Sequence, residues 1–68
     1  MQEINADELW VNNKTQNTYR VLSTDVYDSE DQRNLVAYQR ADSNAPRTIH
    51  VRPPALFLIK FTKFAKSF

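Results

Sequence analysis

Apolar residues occur along this chain in short runs with a period of two, and polar turns separate the runs. Leu9, Trp10 and Val11 open the pattern, and Asp7–Val11 reads as a first short strand. N-N-K-T-Q-N (Asn12–Asn17) is a turn. Thr18–Tyr27 is rich in β-branched and aromatic residues and predicts a long second strand. Tyr19 and Val21 share one of its faces, Leu22 and Val26 the other. Asp28–Arg33 is a polar hairpin loop. Asn34–Arg40 predicts a third strand, with Leu35 and Ala37 opposed to Val36 and Tyr38. After the loop A-D-S-N-A-P-R, Thr48–Arg52 predicts a fourth strand with Ile49 and Val51 inward. Pro53-Pro54 ends it, because proline donates no ladder hydrogen bond.

Pro54 suits the first position of a helical turn. A short 3₁₀ turn over Pro54–Phe57 is expected, then a fifth strand over Leu58–Phe64. The C-terminal segment has a second reading as a short helix, because Phe57, Phe61, Phe64 and Phe68 follow a helical stripe. The expected fold class is all-β: a small five-stranded antiparallel barrel of SH3-like style. Residues 1–68 form a single domain, with 1–6 as a loose leader.

Composition sharpens this picture. The chain has 68 residues and no cysteine, so neither a disulfide nor a Cys/His zinc site supplements its small core. A second subunit is the simplest remaining supplement. It has no glycine, so turns needing positive φ are expected to fall on Asn or Asp. The same absence removes every phosphate-cradling glycine loop and dinucleotide fingerprint. The longest apolar run, Ala55–Ile59, is far short of the roughly 20 residues of a membrane span. No signal peptide is apparent, and the lack of cysteine agrees with a cytoplasmic protein.

Nine basic and eight acidic residues give a net charge of +1. That balance makes nucleic acid a possible but not favoured partner. The charges are unevenly spread. Asp25, Asp28, Glu30 and Asp31 crowd one segment, whereas Lys60, Lys63 and Lys66 make the tail basic. The acidic segment lacks an EF-hand pattern and reads as a solvated loop. His50 has no partner set that spacing would assign to it, and reads as structural.

The runs also carry a resemblance. Lys14, Asn17-Thr18-Tyr19-Arg20-Val21-Leu22, Ser29-Glu30, Leu35-Val36-Ala37-Tyr38-Gln39, Val51-Arg52-Pro53 and Phe57 resemble the pattern of a bacterial domain-of-unknown-function family, number 1653. The most specific part is V-R-P-x-x-x-F. His50 stands where that family usually has tryptophan. The resemblance implies a compact SH3-like β-barrel in bacterial or phage cytoplasm, and it implies no activity.

Trp10, Tyr19, Tyr38 and Arg52 are the ligand-binding candidates, since aromatic faces with a guanidinium suit bases, peptides or cations. The alternative is that they are core. Arg52 is expected to be held by backbone carbonyls, Glu30 or Asp31. Phe61, Phe64 and Phe68 are the candidates for an oligomer interface. No catalytic residue, metal ligand or cofactor is assigned. The expected function is a non-enzymatic binding module that self-associates or takes a protein or peptide. The alternatives are a single-stranded nucleic-acid-binding barrel and a small mobile-element or phage accessory protein that inhibits a host enzyme.

Overall fold

The computed structural model describes residues 3–42 and 44–64. Its elements follow in the order β1 (Leu9–Asn12), β2 (Thr18–Asp28), β3 (Arg33–Arg40), β4 (His50–Arg52), α1 (Pro54–Lys60) and β5 (Phe61–Lys63). The strands make one antiparallel sheet in the order β4-β3-β2-β1-β5. The fold is therefore the small all-β architecture that the alternation predicts. Among the described residues, no helix is long and apolar enough to cross a membrane.

The sheet is curled rather than flat. Tyr38 on β3 and Phe61 on β5 have ring centroids 5.1 Å apart, although β2 and β1 lie between their strands. Three strand spacings would put them about 14 Å apart on a flat sheet. Two register shifts in β2, between Val21 and Ser23 and between Ser23 and Val26, supply bends. An extra residue on one strand kinks it and increases its twist. Trp10, Val21, Val36, Tyr38, Phe57 and Phe61 are enclosed by this curl, with Ile4, Tyr19 and Leu58 packed against them.

The turns meet the missing-glycine expectation at one aspartate and depart from it at two glutamines. Positive φ falls on Asp7 (69°), Gln16 (65°) and Gln32 (52°). Asn12 and Asp28 serve their turns through side-chain oxygens instead. Asn12 Oδ1 accepts from the Lys14 and Thr15 amides at 2.9 and 3.0 Å. Asp28 Oδ1 accepts from the Glu30 amide at 3.0 Å. These are Asx turns, which leave the left-handed residue to the position that closes the hairpin.

The segment after Pro53 departs from the strand reading. A seven-residue α-helix replaces the short 3₁₀ turn, and β5 is confined to Phe61–Lys63. Proline at the first helical position followed by Ala55, Leu56 and Leu58 favours a helix start. The β1–β2 turn ends the helix, where the Asn13 amide donates to the Lys60 carbonyl at 2.9 Å. The phenylalanine stripe is partly used. Phe57 and Phe61 stack at 4.4 Å with 9° between their planes, whereas Phe64 lies beyond the helix. Phe68 is outside the described residues.

Ahead of β1, Ile4 packs on the core and the Asp7 amide donates to the Val21 carbonyl at 2.8 Å. One further expectation is corrected. The phase of β4 is the reverse of the predicted one. Ile49 and Val51 are 60% and 52% exposed. His50 pairs with Tyr38 and Arg52 with Val36, and directly opposed residues share a face. Val36 and Tyr38 face the core, so His50 and Arg52 take that side.

Phe57→Ala should remove about 3–5 kcal/mol, as for other buried aromatics. Val51→Thr should change stability by no more than about 0.5 kcal/mol, as expected of an outward residue. Urea unfolding of both variants tests this; comparable losses would reject the observed phase of β4.

Candidate functional site

The register of three strands assembles an aromatic and basic cluster at one end of the sheet. Tyr19 of β2 lies opposite Arg40 of β3, and Tyr38 of β3 lies opposite His50 of β4. His50 stacks on Tyr38 with centroids 5.3 Å apart and 23° between planes. Tyr19 meets both edge-on, at 5.4 Å from Tyr38 and 6.1 Å from His50. The Arg40 guanidinium carbon lies 5.9 Å from the Tyr19 centroid, within cation–π range. Arg52 Nε donates to the Tyr38 hydroxyl at 3.0 Å. Burial is graded across this cluster: Tyr38 is buried, Tyr19, Arg40 and Arg52 are half-buried, and His50 is exposed.

Three of the four sequence-predicted ligand residues thus come together: Tyr19, Tyr38 and Arg52. Trp10 lies opposite Tyr19 in the β1–β2 register but has 0% exposure. Its ring meets Phe57 edge-on at 5.2 Å and offers no surface to a ligand. Arg52 has a different partner from those expected. Asp31 instead pairs with Arg33 at 3.0 Å on the distant hairpin. His50 and Arg40 belong to the cluster, and their long-range neighbours were not readable from sequence spacing.

A hollow of about 180 Å³ adjoins the cluster, lined by Arg20, Gln39, Arg40, Asp42 and Arg47 among others. Gln39 Nε2 donates to the Arg47 carbonyl at 2.9 Å and fixes that loop against β3. Arg40 pairs with Asp42, and this hydrogen bond raises the guanidinium above its ordinary pKa. Arg40 Nε is enclosed and finds no acceptor among the described residues. Among the described residues, Arg20, Arg47 and Arg52 are in no ion pair. The acids of the β2–β3 hairpin lie at the other end, roughly 30 Å along β2 from Tyr19 to Asp28. Among the described residues, no three His, Asp or Glu side chains converge as a metal-holding group.

A second hollow, of about 330 Å³, is formed by Asp7, Glu8, Leu9, Arg20, Lys63 and Phe64. Glu8 is its organising residue. Its carboxylate accepts from the Asn5 amide at 2.8 Å and from Trp10 Nε1 at 3.2 Å, and pairs with Lys63 at 2.6 Å. Burial pushes this carboxyl up, but the bonds from Lys63, Asn5 and Trp10 outweigh it and hold the pKa at about 2. The N-x-x-E spacing of Asn5 and Glu8 was the sequence signal for this bond set. Phe64, 45% exposed, lines the hollow, while Phe61 at 4% is spent in the core and presents no interface.

No family model, curated protein or solved structure matches this chain.

Glu8 makes a signed pH prediction. A carboxylate held below its ordinary value of 4.5 contributes stability above that pH, which is lost as pH falls towards about 2. Glu8→Gln should cost about 1–2 kcal/mol at neutral pH, after allowance for solvent screening of exposed Lys63. It should also flatten the loss of melting temperature between pH 5 and pH 2, in the buffers in which wild type falls steeply. Parallel curves for the two proteins would remove Glu8 from this role.

Proposed function

We propose that this chain is a non-enzymatic binding module that takes its partner on the basic aromatic end of the barrel, and that it is kin to the small barrels of family 1653. The convergence of Tyr19, Arg40, His50 and Arg52 from three strands carries the reading. An exposed ring supported from beneath by Tyr38 offers a flat face to a planar group. Guanidinium groups beside it offer forked donors to an anion. Tyr38 and the core hold these groups in place before any ligand arrives, which lowers the ordering cost of binding. The V-R-P-x-x-x-F motif supports the kinship, since Arg52 holds the Tyr38 hydroxyl and Phe57 fills the core. A bacterial or phage cytoplasmic setting is part of the proposal, taken from that resemblance.

Backbone amide mapping by NMR tests the binding surface. The probes are a single-stranded oligonucleotide, an acidic peptide and a quaternary ammonium cation. At least one should shift residues 18–20, 38–41 and 50–52 together while leaving the hairpin tip at 28–33 unchanged. Shifts elsewhere, or none with any probe, would overturn the reading.

The exposed residues Ile49 and Val51 favour a second function, self-association. They sit on or beside β4, an edge strand whose outer side has no neighbouring strand among the described residues and which carries no lysine to protect it. We place the second copy at this edge, in a two-fold pairing of β4 with β4. The interface is thereby moved away from Phe61. Sedimentation at concentrations of about 100 μM should show a dimer for wild type and a monomer for Val51→Lys. A monomeric wild type would remove self-association.

A further inference from the structure

We infer that the partner of the basic aromatic end is single-stranded nucleic acid, with a backbone phosphate in the arginine hollow and a base on the face of His50. This rests on the binding surface proposed above and adds the chemical class of its ligand.

Size is the first argument. Pockets for whole drug-sized ligands start at about 300 Å³. The arginine hollow, at about 180 Å³, takes a group such as a phosphate and leaves the rest of the ligand outside. Charge is the second. Three arginines line the hollow against one acid, Asp42, which pairs with Arg40. Arg20 also borders Asp7 and Glu8 in the larger hollow, and Arg47 is in no ion pair among the described residues, so the balance at the hollow is positive. Guanidinium forks match phosphate oxygens in pairs.

Adjacency is the third argument. Arg40 lines the hollow and also lies over Tyr19, whose ring meets His50. Arg20 and Gln39 stand on the sheet face opposite to Tyr19, Tyr38 and His50, so the phosphate position and the aromatic face lie on either side of the sheet end, joined by Arg40, and the bound strand passes around that end. A groove of positive charge beside aromatic faces is how single strands are held without sequence reading. A duplex keeps its bases stacked inside and cannot offer one to His50. The hairpin acids, at the opposite end of β2, disfavour a polyanion there. An acidic peptide could fill the hollow but would leave the His50 face unused.

The test is fluorescence anisotropy of labelled twelve-nucleotide oligo-dT and oligo-U, with a duplex of equal length and poly-glutamate alongside. One phosphate neutralised in the hollow gives a log–log salt slope of about −0.7 on a single strand. Affinity for at least one single strand should therefore drop about two- to threefold between 50 and 200 mM salt. Arg20→Gln with Arg47→Gln should bring the slope close to zero, while the corresponding lysine pair keeps it. His50→Ala should weaken binding about fivefold or more and leave the slope unchanged, because stacking carries no counterions. Thermal melts of every variant check that the fold persists. Absence of binding by both single strands at about 100 μM protein and 50 mM salt overturns the inference. So does equal affinity for the duplex, or an unchanged slope in the glutamine pair. If oligonucleotides fail while the acidic peptide shifts residues 18–20, 38–41 and 50–52, the ligand class is wrong and the binding surface stands.

Discussion

The stack of Phe57 on Phe61 is the contact on which the rest of this fold depends. It joins the helix to the strand that follows it and sits against Tyr38, 5.2 Å from Phe57 and 5.1 Å from Phe61. Trp10 closes the group through Phe57. The α1 segment must carry the chain from β4 at one edge of the sheet to β5 at the other. That crossing is held at the core by Phe57. A chain with no disulfide and few large residues has little else with which to hold its sheet curled.

Tyr38 links this core to the surface. Its ring packs on the two phenylalanines, supports His50, and its hydroxyl accepts from Arg52. Groups supported in this way would lose little freedom on meeting a ligand, as the proposed binding requires. The same coupling means that damage to the core loosens the site. Glu8 plays a comparable part under Trp10. One carboxylate there satisfies an indole N–H, a turn amide and a lysine. The buried indole donor would otherwise be left without a partner, which is costly.

Net charge says little about this molecule's electrostatics. The chain carries +1 overall, yet acids gather along the far half of the hairpin and arginines at its base. Ligands respond to the local field within about a Debye length, roughly 10 Å at ordinary salt. Separation across roughly 30 Å therefore makes the two ends nearly independent. It is this arrangement, rather than composition, that makes the aromatic end of the sheet locally basic.

The first four strands, their order along the chain, the polar turns and the stop at Pro53-Pro54 were legible in the sequence, whereas α1 takes Leu58–Lys60 from the expected fifth strand. The legible features depend on local terms: period-two burial, β-branched propensity and the missing amide of proline. The tertiary structure alone decided the phase of β4. His50-Val51-Arg52 alternates equally well either way, and apolar preference alone would turn Ile49 and Val51 inward. The register against Val36 and Tyr38 turned them outward, because a directly opposed pair must share a face. It also decided that Trp10 and Phe61 are core and that Arg40 and His50 join Tyr19. Those neighbours come from different strands, and no spacing along one strand encodes which residues another will bring beside it.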